Sequence, residues 1–161
     1  MSEGDKTRRV LFVCLGNICR SPTAHGVMQY LVEAEGLQDT IEVDSAGTGA
    51  WHVGESPDHR ATAAARDRGY DLSSQQARQV SLDDYARFDH ILAMDAKNLS
   101  HLEALRPDGY AGEVALLLDY HPNRPFRDVP DPYYGSESGF DQVLDLVEEA
   151  CAGLLRAIRT G

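Results

Sequence analysis

Five residues, Leu15, Gly16, Asn17, Ile18 and Cys19, separate Cys14 from Arg20 in the segment Cys14-Leu-Gly-Asn-Ile-Cys-Arg20-Ser21. That interval lets a backbone curl around one tetrahedral anion with successive amides pointing inward. Gly16 is expected to supply backbone angles that most side chains forbid. Arg20 can close the cradle with two parallel N–H donors, a geometry that lysine does not reproduce. Cys14 then sits in the same positive field, which favours thiolate over thiol and makes a nucleophile at neutral pH. Asn17 is expected to brace the loop, and Ser21 to cap the following helix and donate to the Cys14 sulfur. Cys14 and Cys19 together offer two thiolates to a metal. No second Cys/His pair has structural-site spacing, so neither a metal nor another cofactor is expected.

A thiolate that displaces an oxygen leaving group needs a proton donor beside it. Asp131 is the candidate, held between Pro130 and Pro132, whose fixed φ angles lower the entropy lost in aiming a loop carboxylate. Asp128 is the alternative. Both lie in an irregular stretch, 119–135, that contains four prolines, and long ordered loops in compact domains are usually functional.

The elements that must position these residues are readable around them. Arg9 to Cys14 is a continuous apolar run suited to a strand buried on both faces. After the loop, Ser21, Pro22 and the spacing of Ala24, Val27, Met28 and Leu31 predict a helix. Ile41–Ser45, Asp89–Met94 and Val114–Leu118 read as further strands. Helices are expected from Ser56-Pro57-Asp58, from Ser81 and after Asp95. A last helix of about five turns keeps Phe140, Val143, Leu144, Val147, Cys151, Leu154, Leu155 and Ile158 on one face. The alternation predicts an α/β fold, a single domain over 9–161 preceded by a flexible segment, 1–8.

The bulk composition excludes other classes. With 161 residues and a formal net charge of −11, the chain suits one domain that would repel a nucleic-acid backbone. No apolar stretch is long enough to span a membrane, and the polar start lacks the apolar core of a leader. Three cysteines do not make a disulfide framework. A cytoplasmic protein with neither nucleic-acid nor membrane partners is expected.

Val10 to Pro22, Asp44-Ser-Ala-Gly47 and Asp131-Pro-Tyr-Tyr-Gly135 together resemble the low-molecular-weight protein-tyrosine phosphatase family. The resemblance spans nearly the whole chain, with three motifs in order. It implies a four-stranded parallel open sheet with helices on both faces, and metal-independent dephosphorylation of phosphotyrosine-containing proteins through a phosphocysteine. It further implies that Tyr133 and Tyr134 form one aromatic wall of the pocket, with Trp51 opposite, and that Ser45 hydrogen-bonds Asn17. One departure stands out: Gln75 replaces a histidine common in that network. Arsenate reductase shares the scaffold but needs further redox cysteines, and only Cys151, on a buried face, is available. A phosphoarginine phosphatase, whose loop resembles this one with threonine in place of Ile18, and a non-catalytic phosphopeptide-binding module are the other readings.

Overall fold

The computed structural model describes residues 7–132 and 138–160. Four strands, β1 (Arg8–Cys14), β2 (Ile41–Gly47), β3 (His90–Ala93) and β4 (Glu113–Leu116), form one all-parallel sheet in the order β2-β1-β3-β4. β1 is central and flanked on both sides, which explains its unbroken apolar run: Val10, Leu11, Phe12 and Val13 are fully buried. It begins at Arg8, whose N–H donates to Thr40 at 2.9 Å, so the strand takes in the last residue of the segment read as flexible.

Alternate residues of β1 feed two cores. Val10 and Phe12 pack toward α1 (Arg20–Ala34) and α5 (Ser138–Thr160), while Leu11 and Val13 pack with Tyr85 and Leu102. Tyr85 and Leu102 belong to α3 (Leu82–Arg87) and α4 (Ala96–Leu105), so helices cover both faces. The remaining helix, α2 (His59–Asp67), starts at Asp58, whose carboxylate accepts from the N–H groups of Arg60 and Ala61. α5 buries all eight residues of its predicted apolar stripe. No helix among the described residues is long and apolar enough to cross a membrane.

Two local expectations are corrected. α1 opens at Arg20 with Cys19 at its cap position, so Ser21 lies inside the first turn and does not cap it. Its hydroxyl is engaged by Asn17 and the Cys14 sulfur instead. The fourth strand stops at Leu116 and turns into a 3₁₀ helix, Leu117–Tyr120. Leu116 packs on the α4 side, but Leu117 and Leu118 both enter the core on the α5 side. An extended strand would have sent one of that pair to the opposite face.

Candidate active site

The order β2-β1-β3-β4 puts the chain's topological switch between β1 and β3, where ligands of open α/β sheets bind beyond the strands' carboxyl ends. Cys14 closes β1 at that place and is 2 % exposed. The loop that follows folds back on the sulfur: the Asn17 N–H lies 3.3 Å from Sγ and the Ser21 hydroxyl 3.0 Å from it. The tight return is made at Asn17, whose φ is 58°. Asn is one of the few non-glycine residues that tolerates this left-handed region. Gly16, expected to carry that angle, does not; what its small size does is leave room for His52, since a β-carbon there would come within 3.0 Å of that ring's Cδ2.

Asn17 is held from three directions. Its Nδ2 donates to Ser21 Oγ at 2.9 Å and to Ser45 Oγ at 3.0 Å, and its Oδ1 accepts from the Arg78 N–H at 2.9 Å. Every polar hydrogen of the amide and its carbonyl oxygen are thereby used. The Ser45 hydroxyl donates onward to Gln75 Oε1 at 3.3 Å, and Gln75 Nε2 donates to the Pro22 carbonyl at 3.0 Å. Gln75 thus occupies the network without bringing a titratable ring. Arg78 is itself pinned by Asp84 and Asp44.

Arg20 is almost wholly buried. Nη1 donates to Asp95 Oδ2 at 2.8 Å and to the Val129 carbonyl at 2.9 Å, and Nη2 lies 3.7 Å from Asp131 Oδ2. Burial works against its charge, but Cys14, Asp95 and Asp131 together raise its pKa above the ordinary arginine value. The Asp95 carboxylate is also tied to its own helix, because Oδ1 accepts the Asn98 N–H at the start of α4. The Val129 N–H donates to Met94 O at 2.7 Å, tying the Asp131 segment to the end of β3.

A cavity of about 470 Å³ opens over these groups. Its floor is Cys14, Gly16, Ile18, Cys19 and Arg20, and Leu15, Trp51, His52 and Asp131 rise around it. Asn17, Ser21 and Ser45 stand behind the floor, buried and turned toward one another. Asp128 is not in the cavity; its Oδ1 accepts from the Ala96 N–H at 3.0 Å. Tyr133 and Tyr134 lie outside the described residues. Burial, and then the charge of Asp58, push the Cys19 thiol well above the usual range. Among the described residues no group of three or more His, Cys, Asp or Glu side chains is arranged to hold a metal ion.

The low molecular weight phosphotyrosine protein phosphatase family model matches residues 9–161, a span that holds Cys14, Arg20 and Asp131. The chain belongs to that family. This phosphatase is 47 % identical over 156 residues to the low molecular weight protein-tyrosine-phosphatase of Streptomyces coelicolor, covering 95 % of this chain and 94 % of that one. A crystal structure of protein tyrosine phosphatase from Entamoeba histolytica, with Hepes in the active site, superposes with a TM-score of 0.93 at 38 % identity, covering 96 % and 99 % of the two chains. The structure of a drosophila arginine phosphatase superposes at 0.85 with 34 % identity, covering 92 % and 96 %.

Three participants in the phosphatase site were not anticipated. Asp95 is readable as a helix cap, but nothing local links it to an arginine 75 positions earlier. Arg78 joins through its backbone N–H, which no side-chain pattern reveals. His52 directly follows Trp51, and that adjacency was the available signal.

Proposed function

We propose that this cysteine-dependent phosphatase hydrolyses phosphotyrosine in proteins by two in-line displacements at phosphorus. The Cys14 thiolate attacks, the S–P bond forms as the P–O bond to the phenol breaks, and Asp131 gives its proton to the departing oxygen. Water then attacks the phosphocysteine, Asp131 takes a proton from it, and the sulfur leaves as thiolate with the Ser21 hydroxyl donating to it. Arg20 and the amides of Leu15 to Arg20 meet the equatorial oxygens in both steps. Neither displacement calls for a metal. What supports this reading above all is that Cys14, Arg20 and Asp131 line one cavity.

A ring on a phenol-linked phosphate reaches a sulfur at the bottom of such a cavity, while phosphoserine holds its phosphate too near its own backbone. Trp51, which lines the cavity, serves as a wall for that ring. Ile18, buried against Cys19 and Ala61 and also on the cavity floor, narrows the cavity against a guanidinium-linked phosphate. The arsenate-reductase reading is disfavoured because Cys151 is wholly buried with its Sγ 3.8 Å from the Ala24 carbonyl. The partner is a phosphotyrosine-containing protein and not nucleic acid, in keeping with the net charge. Three free cysteines suit a reducing, cytoplasmic compartment.

The test compares kcat/KM on matched phosphotyrosine, phosphoserine and phosphoarginine substrates in the parent and in Ile18→Thr. Tyrosine is expected to lead, with its margin over arginine narrowed by the substitution. A parent that prefers phosphoarginine overturns the assignment, and binding without turnover leaves the phosphopeptide-binding reading.

A further inference from the structure

The chain contains one tryptophan, and its position is unusual for so large a ring. Trp51 is 73 % exposed, yet the indole is not loose on the surface. A β-carbon built on Gly49 would overlap Cζ3 and Cε3 of the ring and come within 3.0 Å of Cη2. The benzo edge therefore occupies the space a side chain at position 49 would need.

Gly49 is in turn fastened to the nucleophile loop. Beyond the end of β2 the chain stays tied to the loop after β1: the Thr48 N–H donates to Cys14 O at 2.8 Å and the Gly49 N–H to Leu15 O at 2.9 Å. The seat of the ring is thus one hydrogen bond from the residue after the nucleophile. Leu15 and Trp51 both line the cavity, whereas Gly49 itself does not.

We propose that Gly49 is a positioning residue: by lacking a β-carbon it seats the Trp51 ring at a fixed distance from Cys14 and so sets where that aromatic wall stands. The proposal rests on the reading of Trp51 as a wall for the substrate ring. Any other residue at 49 pushes the ring outward. The ring is the far end of an exposed side chain, so it yields before the hydrogen-bonded backbone does, and the fold is retained. The effect appears in recognition of the aryl group more than in the displacement at phosphorus. Its expected size is that of one aromatic contact, roughly two- to tenfold in kcat/KM, carried mainly by KM.

The experiment uses the parent, Gly49→Ala, Trp51→Ala and the double variant, with kcat/KM on a phosphotyrosyl peptide and melting curves for all four. Tryptophan emission and acrylamide quenching are recorded for the parent and Gly49→Ala, in which Trp51 is the sole fluorophore of its kind. The expected result is a changed emission and more quenching in Gly49→Ala, a loss in kcat/KM approaching that of Trp51→Ala, and no further loss when Gly49→Ala is added to Trp51→Ala. Equal losses from Gly49→Ala in both backgrounds overturn the proposal, because position 49 would then act through the loop. Unchanged emission overturns it as well. Should Gly49→Ala fail to fold, a folded double variant supports the ring contact and an unfolded one refutes it. If Trp51→Ala alone leaves kcat/KM untouched, the wall reading has failed, while the fluorescence still decides whether Gly49 seats the ring.

Discussion

At the scale of single residues the proposed chemistry divides cleanly between a sulfur and a carboxylate. Cys14→Ser is expected to abolish turnover while leaving the melting temperature within a few degrees of the parent, because a serine hydroxyl does not ionise in this range and the two side chains are nearly isosteric. Activity measured beside thermal melting checks it, and substantial hydrolysis by the folded variant would remove Cys14 from its role. Asp131→Asn should slow phenyl phosphate on the order of 10²-fold, and p-nitrophenyl phosphate much less, since only the poorer leaving group needs the proton. An equal loss on both substrates would make Asp131 a structural residue. Cys14, Arg20 and Asp131, to which the proposed chemistry is given, could all be named from the sequence, and the structure brings them to one cavity. Gly16 was legible as special but for the wrong reason. A glycine can answer to a backbone angle or to a neighbour, and only the position of His52, far along the chain, tells which; the angle went to Asn17.

At the scale of elements, the end of β1 delivers Cys14, while the segment between β3 and α4 both starts a helix and holds part of the site in place. Asp95 joins the two functions, since one oxygen holds the first turn of α4 and the other holds Arg20. Asn is as good a cap as Asp, so Asp95→Asn should keep α4 intact while weakening the grip on the guanidinium. The expected loss in kcat/KM is roughly tenfold, corresponding to about 1.4 kcal/mol for exchanging a charged acceptor for a neutral one. Kinetics together with melting separates the two functions, and a large drop in melting temperature would count against the division of labour. Packing of α5 offers a second element-level test. A β-carbon at Gly153 would run into the Tyr120 carbonyl at the end of the 3₁₀ turn. Gly153→Ala should therefore destabilise by about 1–3 kcal/mol, read by chemical denaturation, with the active site unaltered. Most elements could be read from periodicity, α5 best of all because eight apolar residues share one stripe. The contacts of Asp95 and Arg78 could not, since they join segments far apart in sequence and leave no local pattern. The end of β4 was missed because Leu117 and Leu118 are equally apolar and only the cores they enter distinguish a strand from a turn.

For the whole molecule, acid stability is coupled to the packing beneath the site. His25 on α1 has a buried Nδ1 with no hydrogen-bond partner, in the neighbourhood of Gln75 and Asp44. Burial lowers its pKa below the ordinary value of 6.5, against a smaller opposing effect of Asp44. Below 6.5 the unfolded chain takes up a proton at this site that the folded chain resists, so stability falls as pH drops from 6.5 toward the depressed folded value and levels off beneath it. His25→Gln should flatten that part of the stability profile, measured by denaturant titration at a series of pH values; an unchanged slope would show that other groups set it. The long reach of the Arg20 contacts has another consequence, in the order of synthesis. A ribosome extrudes the loop after Cys14 well before its partners: Arg20 waits 75 residues for Asp95 and 109 for Val129. Until those arrive, the guanidinium has nothing to hold it over the sulfur, and Asp131 has not been made. A nascent chain therefore carries the proposed nucleophile for well over a hundred residues without the means to use it, and activity should begin only after Asp131 has emerged.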